Sequence, residues 1–143
     1  MFDGCSNLQS IDLSNLDTKS LTNIVYMFRN CSNLQNANLS NMNVSNVTTM
    51  AYMFQNCSNL QNIDLSGWDT KSLKSTVSMF YNCSSLTSLD LSSFDTRNVN
   101  DSYSSSSARN MLYGVTCPVI VGENWTLSTG YPSTGYNGTF TRK

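Results

Sequence analysis

Residues 27–52 read MFRNCSNLQNANLSNMNVSNVTTMAY, and residues 53–78 read MFQNCSNLQNIDLSGWDTKSLKSTVS. The same pattern, opened by Met-Phe, also begins at residues 1 and 79, so four copies follow one another every 26 residues. A period of this length is typical of repeat proteins in which each copy contributes one supersecondary unit. The sequence therefore predicts that equivalent residues of successive copies lie side by side.

Two hydrophobic patterns alternate within each copy. In the first copy, apolar and polar residues alternate near residues 8–13, which predicts a short strand with one buried face. Apolar residues then recur along residues 21–28 at the spacing of one helical face, and Asp17 is placed to cap that helix. Stacked copies therefore predict an α/β fold. It is a right-handed solenoid with parallel strands on one face and short helices on the other.

The two ends of the array differ from its middle. We interpret residues 1–121 as four copies plus a shortened fifth turn, with a Ser-rich bulge near residues 101–108. Residues 122–143 leave the repeat, and Asn137-Gly138 predicts a hairpin turn, so this segment is expected to form a C-terminal β-hairpin cap. The first copy has no such cover. We expect that the chain is part of a longer array, or that a partner or self-association covers this uncapped N-terminal end.

Composition excludes several classes of function. The 143 residues carry 8 Lys or Arg and 9 Asp or Glu, so the net charge is −1 and nucleic acid is a poor candidate partner. No apolar run is long enough for membrane insertion, and we find neither a signal peptide nor an anchor motif in this chain. There is no His, and the carboxylates repeat rather than converge, so we predict no enzyme and no cofactor.

The repeated unit M-F-x-[NG]-C-S-[NS]-L-x-x-[IAL]-[DN]-L-S resembles the 26-residue repeat of bacterial surface leucine-rich-repeat proteins of the BspA type. The resemblance covers residues 1 to about 100 closely. It implies a leucine-rich-repeat solenoid that is displayed on the cell surface or secreted. It also implies an adhesin that binds a host or neighbouring-cell protein or an extracellular-matrix ligand. The family's pattern carries no binding residue over to this chain.

The strand residues that point away from the predicted core are our candidate binding site on the concave face of the solenoid. Strands about 4.8 Å apart would bring them into straight, polar, weakly acidic columns. A merely solvated sheet explains the same pattern, and calcium, which needs six to eight oxygen ligands, is a weaker alternative, so we predict no metal site. The candidate residues are Ser10, Asp12, Asn36, Asn38, Asn62, Asp64, Ser88 and Asp90.

Two further columns are expected to be structural. Cys5, Cys31, Cys57 and Cys83 occupy one position of the repeat, and we interpret them as buried free thiols. Their 26-residue spacing does not fit a zinc motif, and in-register side chains would point the same way rather than toward each other, which does not suit a disulfide. A second column fills the corners of the core. Exposure of its Trp68 and Phe94 as a docking patch is the alternative. The corner residues are Leu16, Met42, Trp68 and Phe94.

The predicted function is therefore a non-catalytic protein-binding or adhesion module that uses the repeat surface. The alternative is a structural spacer, or stalk, with no ligand of its own. Near-identical strand faces in all copies suit a spacer or a repetitive ligand. The variation between copies suits a specific edge, and it is clustered at residues 15–16, 41–42, 67–68 and 93–94.

Overall fold

The computed structural model describes residues 1–99, 110–122, 125–128 and 139–142. Short strands are the regular elements of these residues. They are β1 (Ser10–Asp12), β2 (Asn36–Asn38), β3 (Asn62–Ile63), β4 (Leu89–Leu91), β5 (Val119–Val121), β6 (Trp125–Ser128) and β7 (Thr139–Arg142).

The first five strands form two parallel sheets, of which the first keeps the 26-residue register of the repeat. Strands β1, β2 and β3 form one sheet, in which Ile11 lies opposite Ala37 and Ala37 opposite Ile63. Strands β4 and β5 form a second sheet. Between the two sheets the Thr87 N–H donates to Gln61 O at 3.1 Å. Equivalent residues of successive copies are therefore hydrogen-bonded neighbours.

A second set of inter-copy bonds runs along the Met-Phe segments. Each Phe N–H donates to the carbonyl of the Met in the next copy, from Phe28 to Met53 and from Phe54 to Met79, both at 2.9 Å. The Phe80 N–H donates in the same way to Met111 O at 2.8 Å. Backbone N–H and C=O groups that would bond to one another inside a helix therefore bond between copies.

The prediction of an α/β, right-handed leucine-rich-repeat solenoid with helices on one face is wrong. The described residues contain no helix, and their parallel strands form two small sheets of two or three residues per strand. Where a helix was expected, local bonds reach three residues back, as from the Met27 N–H to Ile24 O at 3.2 Å, and alternate with bonds to the next copy. The chain between these bonds adopts positive φ, at 59° for Tyr26 and 61° for Asn30, which an α-helix cannot include.

The core is built from columns of equivalent side chains. The Phe28 ring is stacked on Phe54 at 5.4 Å between centroids, and Phe54 on Phe80 at 5.5 Å; all three are fully buried. The corner residues also fill the core in copies 2 to 4, where Trp68 is 2% exposed and stacks on Phe94 at 6.4 Å. The alternative of an exposed Trp68–Phe94 patch is wrong, whereas Leu16 of copy 1 is exposed.

Strands β6 and β7 form an antiparallel pair in which Leu127 lies opposite Phe140. The predicted turn at Asn137-Gly138 and the predicted Ser-rich bulge at residues 101–108 lie outside the described residues, so the capping role of residues 122–143 stays a prediction. In the described part of the chain, no helix is long and apolar enough to cross a membrane.

Candidate functional site

The strand face that carries the candidate residues is exposed in every copy. Ser10 lies opposite Asn36, which lies opposite Asn62, and Asp12 lies opposite Asn38. Asp64 of copy 3 follows β3, and Ser88 of copy 4 precedes β4, so both lie just outside a strand. All eight predicted residues are exposed: Ser10, Asp12, Asn36, Asn38, Asn62, Asp64, Ser88 and Asp90.

One residue of this face was not anticipated from the sequence. Ile120 of β5 lies opposite Asp90 and is 54% exposed. It therefore ends the Asp/Asn column with an apolar side chain. The alternation Val119-Ile120-Val121 contains the signal, because the outward position of a strand alternates with the inward ones.

The acidic residues of the strand face also stabilise the turn that follows each strand. In each case a carboxylate Oδ1 accepts the backbone N–H two residues later, at 2.9 Å from Ser14 to Asp12 and 2.8 Å from Ser92 to Asp90. Asn38 does the same with its amide oxygen and the Ser40 N–H at 3.3 Å. Short side-chain acceptors of this kind are favoured where a strand turns away. The column therefore has a structural role in addition to any role in binding.

These turn bonds keep the carboxylates ionised. Hydrogen bonds from the Ser14 side chain and backbone hold the pKa of Asp12 below its ordinary value, and the Ser66 backbone N–H does so first for Asp64. The side chain of Ser92 is the main cause of the lowered pKa of Asp90. Donors to a carboxylate favour its charged form. The face therefore carries fixed negative charge at neutral pH, broken by Asn38.

Asp17, Asn43, Asp69 and Asp95 occupy one position of the repeat, which we call the Asp17 column, and Asp17 was expected to cap a helix. Because no helix forms, Asp17 instead accepts the Lys19 N–H at 3.1 Å in a turn. In copy 3 the Lys71 ammonium also reaches Asp69 Oδ2, at 2.7 Å. The side-chain hydrogen bond from Lys71 is the main cause of the lowered pKa of Asp69. This corner thus carries an exposed, compensated ion pair.

A polar cleft opens beside that ion pair, between copies 2 and 3. Its volume is about 400 Å³, and it lies where residues 40–45 of copy 2 face Gly67, Asp69 and Lys71 of copy 3. We call it the Gly67 cleft. A Cβ atom added to Gly67 would lie 3.4 Å from Ser40 O, so the missing side chain exposes that carbonyl.

Comparison with the neighbouring copies shows what the cleft lacks. The Asn41 amide, at the position of Gly67 in copy 2, donates to Ser14 O at 3.3 Å. Five residues later, Asn46 donates to Lys19 O at 3.4 Å. In copy 3 these positions are Gly67 and Ser72, and among the described residues no donor reaches Ser40 O or Ser45 O. The sequence signal was the loss of both Asn residues in one copy.

The cysteine column is confirmed as buried for Cys31, Cys57 and Cys83, while Cys5 is exposed; all the cysteines are free. Each buried thiol donates to a Phe carbonyl of the preceding copy, as from Cys57 Sγ to Phe28 O at 3.0 Å. Burial raises the pKa of Cys57 to about 12. These thiols are protonated and unreactive at neutral pH, because the thiolate is the nucleophile. Across the described residues, no three His, Cys, Asp or Glu side chains are grouped to hold a metal ion.

Comparison with known proteins identifies one family. A family model described as "Mycoplasma protein of unknown function, DUF285" matches residues 1–113. No curated protein and no solved structure matches the chain significantly.

Proposed function

Because the chain belongs to the DUF285 family, whose description assigns no activity, we propose a function from the exposed strand face. It is a non-catalytic module that binds a protein, such as an extracellular-matrix or neighbouring-cell protein. The cell surface, or the medium around the cell, is the place where such a partner would be met.

The observation that carries this proposal is the register of the polar columns. Asp12 and Asn38 are opposite one another, and the lowered pKa values of Asp64 and Asp90 keep the same column charged in later copies. Charge at a fixed spacing suits an extended partner with basic or amide side chains at matching intervals. Exposed Ile120 adds an apolar contact at the end of the column.

A charge-only substitution tests the proposal. The variant Asp12→Asn, Asp64→Asn and Asp90→Asn removes three charges but keeps the turn acceptor, as Asn38 does naturally with the Ser40 N–H. Against a panel of purified, immobilised extracellular-matrix proteins, the wild type is expected to bind. The variant is expected to lose about tenfold in affinity, or about 1.4 kcal/mol. Binding is measured by surface plasmon resonance at low and at physiological salt.

The matched control is Asp17→Asn with Asp95→Asn, which removes two charges from the Asp17 column, keeps the turn acceptors and leaves the Gly67 cleft unchanged. This control is expected to bind as the wild type does. Equal binding by the wild type and the triple variant would reject the strand face as the site.

A structural spacer is the second candidate. It is favoured by the turn bonds, because Asp12, Asp64 and Asp90 would be needed by the fold even without a ligand. Failure of the wild type to bind any member of the panel would favour this candidate over the first.

A further inference from the structure

We propose that the Gly67 cleft is a second binding site, for a neutral polyhydroxylated ligand such as one sugar unit of a glycan. The cleft lies at the corner after β2 and β3, and the proposal does not depend on a protein partner at the strand face. It rests on the hydrogen-bonding groups that line the cleft, on their charge and on the size of the space.

The lining offers two backbone carbonyls that no donor reaches from the part of the chain that the structure describes. Ser40 O and Ser45 O belong to cleft residues, and the amides that cover their counterparts in the preceding copy, Ser14 O and Lys19 O, are absent here. Ser45 is half-buried and Ser40 is exposed, and a backbone carbonyl without a protein donor can accept a hydrogen bond from a ligand. A ligand that uses both carbonyls must therefore donate hydrogen bonds at two places five residues apart along the chain.

The lining also offers both signs of charge in one pair. The Lys71 ammonium lies 2.7 Å from the Asp69 carboxylate, and their side chains are 63% and 49% exposed. The pair has no net charge, so it selects neither an anion nor a cation. Vicinal hydroxyl groups suit it, because one hydroxyl donates to a carboxylate while its neighbour accepts from an ammonium.

The dimensions fit one sugar ring. A volume of about 400 Å³ lies at the lower end of the range of small-molecule sites. Trp68, the neighbour of Gly67, is buried and its indole N–H donates to Leu39 O at 3.2 Å, so it offers no stacking face. Hydrogen bonds alone then hold the ligand, and we expect a dissociation constant of about 1–10 mM for a single unit.

The test is an NMR titration of the ¹⁵N-labelled full chain. The probes are the methyl glycosides of glucose, galactose, mannose and N-acetylglucosamine, each taken to about 50 mM. At least one is expected to shift the backbone amides of residues 41–45 and 67–71. Methyl glucuronide, an anionic sugar, is expected to bind more weakly than the best neutral glycoside. N-acetylglycine amide, a peptide probe, is expected to leave these amides unshifted.

Two substitutions test whether the site exists because copy 3 lacks the two Asn side-chain amides of copy 2. Gly67→Asn and, separately, Ser72→Asn restore the side chains that copy 2 carries at Asn41 and Asn46. Each is expected to raise the dissociation constant at least about tenfold, because the new amide occupies the carbonyl that the sugar would use. The matched control Ser93→Asn places the same side chain one copy later and is expected to change binding less than about twofold. Unperturbed amide resonances of copy 1, which contains none of the substitutions, check that each variant is folded.

Three results would overturn the proposal. They are the absence of a shift in the cleft with every glycoside, tighter binding of methyl glucuronide or of the peptide probe, and unchanged sugar binding by folded Gly67→Asn and Ser72→Asn variants.

Discussion

The cysteine position shows, at the scale of a single residue, how the repeat links a position to a physical task. Cys57 is fully buried, donates to Phe28 O and has a pKa of about 12. The sequence allowed burial to be predicted because the spacing did not fit zinc ligands and in-register side chains did not suit disulfides. It did not reveal that Cys5, in the same position, is exposed, because burial depends on a preceding copy that Cys5 lacks within this chain.

In the Cys57→Ala variant, the free energy of unfolding is expected to fall less steeply at high pH than it does in the wild type. In the unfolded chain the thiol ionises above its ordinary pKa of 9.0, whereas the folded thiol stays protonated to about 12. The contribution of this thiol is therefore constant below pH 9. It falls by about 1.4 kcal/mol per pH unit as the pH rises from 9 towards 12.

Urea unfolding of the wild type and of Cys57→Ala at pH 8, 9, 10 and 11 measures this difference. The variant starts lower because it loses a hydrogen bond and leaves a small cavity, and the two free energies of unfolding then converge as the pH rises. Parallel curves would show that the thiol does not titrate as inferred.

At the scale of the element, turns with inter-copy bonds replace the expected helix. Spacing of three and four residues between Ile24, Met27 and Phe28 is shared by a helix and by consecutive tight turns, so the hydrophobic pattern alone could not separate them. The positive φ of Tyr26 was not visible, because tyrosine has no preference for it. The signal that was present is the alignment of Gly4 with Asn30, since glycine and asparagine tolerate a left-handed backbone.

Asn30, Asn56 and Asn82 occupy this position. Each has positive φ, and their side chains form a hydrogen-bonded ladder. Asn56 has φ 62°, its amide donates to Asn30 Oδ1 at 2.9 Å, and it accepts from Asn82 at 3.1 Å. Asn56→Ala is expected to destabilise the protein by about 1–2 kcal/mol, because alanine is strained at positive φ and has no amide. Asn56→Gly is expected to cost less, because it loses only the ladder.

Thermal and urea unfolding of the two variants give the comparison. Equal losses for alanine and glycine would show that the ladder, rather than the backbone conformation, is what asparagine provides at this position.

At the scale of the whole molecule, the register of the repeat was predictable and the class of fold was not. Four copies of one pattern were enough to place Ile11 beside Ala37. The sequence also placed all eight candidate residues of the strand face in solvent. It did not reveal the Gly67 cleft, because a cleft arises from what one copy lacks relative to its neighbours.

The stacked phenylalanine column predicts how stability is distributed over the copies. Phe54 is fully buried between Phe28 and Phe80, so Phe54→Ala is expected to cost about 3–5 kcal/mol. Phe2 is only half-buried and stacks on Phe28 alone among the described rings, so Phe2→Ala is expected to cost about half as much. Urea unfolding at 25 °C measures both, and equal costs would contradict a column in which each ring depends on two neighbours.

The constant spacing of the inter-copy hydrogen bonds determines which changes in chain length the fold can accept. Phe28 reaches Met53 and Phe54 reaches Met79 across the same 25 residues, so duplication of one whole 26-residue unit re-creates every donor and acceptor. An insertion of one or two residues within a unit would instead shift the partners of all the bonds at that junction. Recombination between repeats is therefore a structurally tolerated edit, whereas small insertions and deletions are tolerated only between bonded positions. The bond from Phe80 to Met111 shows such a case, because it joins residues that are 31 rather than 25 positions apart.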